Sequence, residues 1–171
     1  MGYKINSSDA AYVDLVLMYS SDLINWTGTT VGEQAWAYTS ASKYGLSATI
    51  KHLNGYYICY SPVSSFIRQN IYYTTSLGST WEYIEYSSMI ITDVMYNNNT
   101  WILRNGYLYT SGDDTYTGYK IGSCSATLPD SSSTTWLSLS SSSVQALFYY
   151  NYKLYFCDNS KGRLEETQDF S

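Results

Sequence analysis

Trp26, Trp81 and Trp136 stand 55 residues apart along this chain (81 − 26 and 136 − 81). Each closes a Ser/Thr-rich approach and opens a short polar–apolar alternation. A fixed period of this size marks supersecondary units laid side by side, each needing its neighbours to cover its apolar face. The residues between the tryptophans set the kind of unit. Tyr supplies 21 of the 171 residues, and no long stretch repeats its apolar side chains every three to four positions. Tyr, Ile, Val and Thr suit a pleated, half-buried surface, so the units are read as β-strands rather than helices.

The repeats can be overlaid. A first strand is expected at 47–53, 91–96 and 144–150, each followed by a turn signal at Asn54-Gly55, Asn97-Asn98-Asn99 or Asn151. Asn and Gly tolerate the positive φ that tight hairpins need. A second strand is expected at 56–60, 100–103 and 153–157, a third at 70–74 and 118–123, and a fourth at 81–85 and 136–139. Four short antiparallel strands per repeat is the pattern of a propeller blade. The N-terminal repeat shows only strands three and four, at 15–19 and 26–29, and the C-terminal repeat only strands one and two. The expected fold is therefore all-β: a β-propeller of four-stranded antiparallel blades, about three per chain, with split terminal half-blades. Residues 1–14 read as an N-terminal extension, 15–160 as the propeller repeats and 161–171 as a C-terminal tail. Unpaired edges at both halves must be covered. Three blades make a tight ring, so a homo-oligomer, such as a six-bladed ring from two chains, or a neighbouring propeller segment is the expected partner.

The approach to the second tryptophan reads Thr74-Thr75-Ser76-Leu77-Gly78-Ser79-Thr80-Trp81. It resembles the Asp-box of sialidase-like and related propellers, whose pattern runs Ser, any, Asp, any, Gly, any, Thr, Trp. Thr74, Gly78, Thr80 and Trp81 match, and Ser76 replaces the acid. Ser20-Ser21-Asp22-Leu23-Ile24-Asn25-Trp26 looks like a shorter variant that keeps its acid at Asp22. Around Trp136 the approach is lengthened and only Thr135-Trp136 stands clear. The resemblance implies a hairpin in which the acid or hydroxyl caps backbone N–H groups, Gly78 supplies positive φ and the tryptophans are core pegs. It also implies that these boxes sit on a rim, away from the ligand face.

Charge narrows the function. Net charge is −5, and nine Lys and Arg are scattered without a basic patch, which argues against nucleic acid. No apolar run is long enough to span a bilayer, and residues 1–11 lack the basic start and apolar centre of a signal peptide. The family's enzymes use an arginine cluster, but Arg68, Arg104 and Arg163 do not occupy matching places in the repeats. Strand alternation puts Glu82 on the face opposite Tyr83, so that acid and phenol are not read as a catalytic pair. His52 reads as solvated or satisfied. Cys59, Cys124 and Cys157 read as buried free thiols without metal-type spacing. Asp113-Asp114 falls short of a calcium loop. No catalytic residue, metal or cofactor is expected.

Pyranose rings stack on aromatic faces, and their hydroxyls pair with polar side chains. Trp36, Tyr38, Trp101 and Tyr116 are not explained by the box motif, and they are the candidate stacking residues. Arg68, Arg104, Asp113 and Asp114 are the candidate polar contacts. The expected function is a non-enzymatic module for recognising a glycan or a cell-surface receptor. The style of the chain resembles virion or phage-tail appendages, so a virion or extracellular surface is the expected setting. The alternatives are a piece of a sialidase-like glycoside hydrolase and a purely structural assembly subunit.

Overall fold

The structure, a computed structural model, describes residues 2–37, 48–60, 70–86, 90–106, 120–138, 144–150, 153–158 and 163–166. Among them the chain is all-β, with no helix. Strands β1 (Gly2–Ile5), β2 (Tyr12–Tyr19) and β3 (Thr27–Ala37) form one sheet. A second holds β4 (Thr49–Leu53), β5 (Tyr56–Tyr60), β6 (Asn70–Thr74) and β7 (Glu82–Glu85). A third holds β8 (Ile90–Asn97), β9 (Thr100–Gly106), β10 (Lys120–Cys124) and β11 (Thr135–Ser138). The fourth holds β12 (Val144–Tyr150), β13 (Lys153–Asp158) and β14 (Arg163–Glu166). In every sheet each strand lies beside its neighbour in sequence, with antiparallel pairing.

Two turns show how local residues set the register. Asn54 and Gly55 have φ of 50° and 78°, and they join Leu53 to its partner Tyr56. Asn98 and Asn99 have φ of 48° and 57° between β8 and β9. Positive φ at both central residues is the two-residue turn whose twist matches that of flanking strands. β5, β6 and β12 coincide with the strands expected from sequence.

The described residues fall into two compact units, Met1–Ile91 and Thr92–Ser171. In the first, the two sheets share one core. Val13, Leu15 and Leu17 alternate along β2 and meet Cys59, Tyr72 and Trp81, with Val31 from β3. Cys59 is fully buried, and that desolvation pushes its thiol up to about 12, so it packs as a small apolar group. In the second unit the buried residues include Val94, Trp101, Ile102, Leu103, Ile121 and Cys124. Consecutive residues are buried at Ile58-Cys59-Tyr60 in β5 and Trp101-Ile102-Leu103 in β9, so these middle strands are covered on both faces.

The ends differ from the sequence expectation. Residues 1–14 are no extension, because Gly2–Ile5 pairs with β2 from Gly2↔Val16 to Ile5↔Val13. The connecting turn is closed by Asn6, whose Oδ1 accepts the N–H groups of Ser8 and Asp9 at 2.9 Å each. Asn6 Nδ2 donates to the buried Asp14 at 2.6 Å, and Lys4 Nζ lies 3.7 Å from the same carboxylate. Within the expected tail, Arg163–Glu166 pairs with β13. The terminal sheets thus hold three strands each, where two were expected. β3 also runs on to Ala37, well beyond the strand expected at 26–29.

Candidate functional site

The three box-like approaches fold into capped turns, each by different means. In the first, the Asp22 carboxylate accepts the N–H of Asn25 at 2.8 Å and of Ile24 at 2.9 Å. Asn25 Nδ2 at 2.8 Å and Ser20 Oγ at 2.9 Å donate to it as well. These donors, the Asn25 N–H foremost, hold the carboxyl well below the usual carboxylate range. A depressed folded value means that the ionised cap is present above an ordinary aspartate's pKa and is lost only as pH falls through the lower folded one. The amide resonances of Ile24 and Asn25 should therefore stay in place as pH falls through about 4, where a free aspartate titrates, and shift only below it. A midpoint near 4 would refute this.

In the second turn Thr74 takes over the missing acid's task. Its Oγ1 donates to the Ser76 carbonyl at 2.9 Å and accepts the Ser76 N–H at 3.3 Å, while Ser79 N–H bonds the Ser76 carbonyl at 3.0 Å. The Gly78 expectation fails, because among the described glycines only Gly55 has positive φ. Gly78 is used for close approach instead: a Cβ there would lie 2.8 Å from the Tyr19 phenol oxygen. In the third turn an acid that the motif alignment missed does the capping. Asp130 accepts the N–H and Oγ of Ser132 at 3.0 and 2.8 Å, which lowers its pKa. A short acid followed by serines was the available signal.

The periodic tryptophans have three different surroundings. Trp81 is buried in the first unit's core. Trp136 is half-buried with its ring over Gly122, its cross-strand partner, where a Cβ would come within 2.9 Å. Trp26 is 54% exposed and is no core peg, and Leu23 and Ile24 beside it are exposed too. The turn that places Trp26 is closed by polar caps and needs no buried indole.

The sequence-selected binding residues also separate. Trp101 is fully buried; its Nε1 donates to the Ala126 carbonyl at 3.1 Å, and its ring sits 4.7 Å from that of Tyr96. It presents no face for stacking, which corrects its place among the ligand candidates. An aromatic flanked by Ile102 and Leu103 is a core signal that outweighs its not being in the motif. Arg104 Nε donates to Thr92 Oγ1 at 2.9 Å, so that guanidinium braces β8 against β9. Trp36 is placed by its backbone, opposite Val13 in the β2–β3 ladder. Tyr38, Arg68, Asp113, Asp114 and Tyr116 lie outside the described residues. His52 is exposed, with its ring 4.7 Å from that of Tyr57. Among the described residues no cluster of His, Cys, Asp and Glu could hold a metal ion, and no helix is long and apolar enough to cross a membrane.

Sequence reasoning did not pick out a cleft formed by described residues of the first unit. It has a volume of about 580 Å³ and lies between β3 and the β6–β7 hairpin. Its β3 side is Thr29 to Glu33, and this is where the ladder is irregular: Val16 pairs with Thr30, but Leu15 pairs with Gly32. Val31 is the extra residue of that bulge. Bulges re-aim side chains and gather beside binding sites. The opposite side is Tyr72, Trp81, Tyr83 and the turn residues Gly78, Ser79 and Thr80. The Tyr72 ring lies against the Gly32 backbone, so a Cβ on Gly32 would come within 2.4 Å of it. Tyr83 is 53% exposed and meets Tyr72 edge-on with centroids 6.3 Å apart. The buried Trp81 Nε1 has no hydrogen-bond partner among the described residues. Glu33 is exposed and is the one carboxylate among the described lining residues, which include no Lys or Arg. Aromatic walls, four hydroxyl-bearing Thr and Ser residues and a single acid suit a small, hydroxyl-rich ligand.

Alternation does separate Glu82 from Tyr83, as expected. Glu82 instead faces its cross-strand partner Tyr73, whose phenol donates to it at 2.5 Å. That hydrogen bond, with burial second, pushes the Tyr73 phenol up to about 12. Comparisons with family models, curated proteins and solved structures find no match to this chain.

Proposed function

We propose that this chain is a non-enzymatic, propeller-type module that recognises glycans, and that the cleft between β3 and the β6–β7 hairpin is where it does so. The observation that carries this reading is the pairing of an accessible aromatic, Tyr83, with a row of Thr and Ser hydroxyls and one carboxylate in a single concavity. Sugar rings need an apolar face to stack on and short polar side chains to bond their hydroxyls. Successive meanders of three and four strands, with capped turns before Trp26, Trp81 and Trp136, support an Asp-box-like propeller built from blades. A second copy or a neighbouring propeller segment is its expected ring partner, and a virion, phage tail or other extracellular appendage its setting.

The hydrolase alternative is less well supported. The Tyr73 phenol bonded to Glu82 stays protonated far above neutral pH and is a poor nucleophile. At the cleft Glu33 has no second acid beside it among the described lining residues, whereas most glycosidases work with two carboxylates. A glycan array tests the proposal: binding to a subset of glycans is expected, and Tyr83→Ala should weaken it roughly tenfold, in line with the worth of a stacked ring. No binding to any glycan would reject the reading. Release of a fluorogenic aglycone would replace it with the enzyme.

A further inference from the structure

Resting on glycan recognition by this cleft, we infer that its ligand is an uncharged pyranose, one or two rings long, and that Glu33 selects against acidic sugars. Size is the first argument. A volume of about 580 Å³ falls within the roughly 300–1,000 Å³ of small-molecule sites, so it suits a terminal mono- or disaccharide rather than a polymer track. The lining is the second. Thr29, Thr30, Ser79 and Thr80 carry hydroxyls that both donate and accept, as sugar hydroxyls do, so each contact can be matched without ionising either partner.

Charge is the third argument and decides the class. An acidic sugar needs a cation, best an Arg that pairs its carboxylate through two parallel hydrogen bonds. No Arg or Lys is found among the described lining residues, and Glu33 stands at the cleft with its carboxylate exposed. Two like charges a few ångströms apart repel, and a chain of net charge −5 adds to that field. For a neutral sugar the same carboxylate is an asset, because its two oxygens accept from adjacent hydroxyls of one ring, and hydrogen bonds to an ionised acceptor are the strong ones.

The fourth argument is the wall. The Trp81 indole N–H is a buried donor without an acceptor among the described residues, and such a group in a cleft wall asks for an explanation. Trp81 lines the cleft, and a ligand oxygen would supply the acceptor that this donor lacks. The position is fixed by the Val31 bulge on one side and the Gly32–Tyr72 contact on the other, so the cleft is shaped before any ligand arrives.

The test uses the whole chain, with methyl glucoside, lactose and 3′-sialyllactose as probes. Binding is followed by calorimetry and by the Trp81 indole N–H resonance. A neutral probe is expected to bind at least about tenfold more tightly than the sialylated one, by the like-charge argument, and to move the indole resonance downfield. Glu33→Gln should weaken neutral binding roughly tenfold, the worth of a charged hydrogen bond, and narrow the gap to the sialylated probe. Glu33 is exposed, so the variant should fold as the parent does, which its circular dichroism checks. Tighter binding of the sialylated probe overturns the inference, as does a Glu33→Gln variant that leaves both affinities unchanged. If the array shows binding but these probes leave the Trp81 resonance unmoved, the assignment of ligand and cleft fails while glycan recognition stands. If the array is blank, both fall.

Discussion

Trp101→Ala is expected to destabilise the chain by about 3–5 kcal/mol, the range seen when a large aromatic is cut from a packed core. Three observations put it at the top of that range. The side chain is fully buried, Tyr96 leans on it at 4.7 Å, and its Nε1 bonds the Ala126 carbonyl. Removing it opens a cavity and also leaves that carbonyl without its donor. Whole domains are stable by only about 5–15 kcal/mol, so the second unit should melt far below the parent temperature or fail to fold. Trp26→Ala is the natural control. Its ring is more than half exposed, and the turn beneath it is held by Asp22, so the change should stay within about 0.5 kcal/mol of zero. Urea denaturation followed by circular dichroism compares the two, and equal effects would contradict these placements.

Gly32→Ala should have the second-largest effect and should act on two readouts together. The added Cβ would come within 2.4 Å of the Tyr72 ring, far inside contact distance, and Tyr72 is itself buried in the shared core. Overpacking of this kind costs about 1–3 kcal/mol through forced rotamers and backbone shifts. Tyr72 lines the cleft and touches Tyr83, so a displaced ring should disturb the cleft and sugar binding should fall with stability. Gly55→Ala separates backbone strain from crowding: its φ of 78° disfavours a side chain, yet nothing lies within 4 Å, so it should lose stability and keep binding. If Gly32→Ala keeps both stability and binding, the ring–backbone contact is wrong.

How much of this was legible beforehand depends on where the signal lay. Middle strands such as β5 and β6 are short apolar runs, and the turn and loop signals around each run delimit them. The Asn-Gly and Asn-Asn turns could be read because positive φ selects those residues. β1 and β14 escaped because no periodic tryptophan marks them: β7 and β11 are as short, and β7 is as rich in glutamate, but Trp81 and Trp136 show where those strands begin. The bulge at Val31 escaped because an extra residue in a ladder is a property of the pair, which no single strand displays. The cleft escaped for the same reason. Gly32 and Tyr72 lie forty positions apart (72 − 32), and nothing local marks either as a contact. Even the regular tryptophan spacing fixed where the turns fall without fixing what the indoles touch, because polar caps close the first turn and a glycine platform receives the third.

The unbroken neighbour-to-neighbour order of the strands bears on how the molecule is made. Each described sheet is finished once its last strand has emerged from the ribosome, since none waits for a segment synthesised much later. Local pairings close short loops and form quickly, so the polypeptide should acquire order progressively from its amino end. The first two sheets can then join before the second half has been translated, which shortens the interval in which tyrosine-rich edges are open to aggregation.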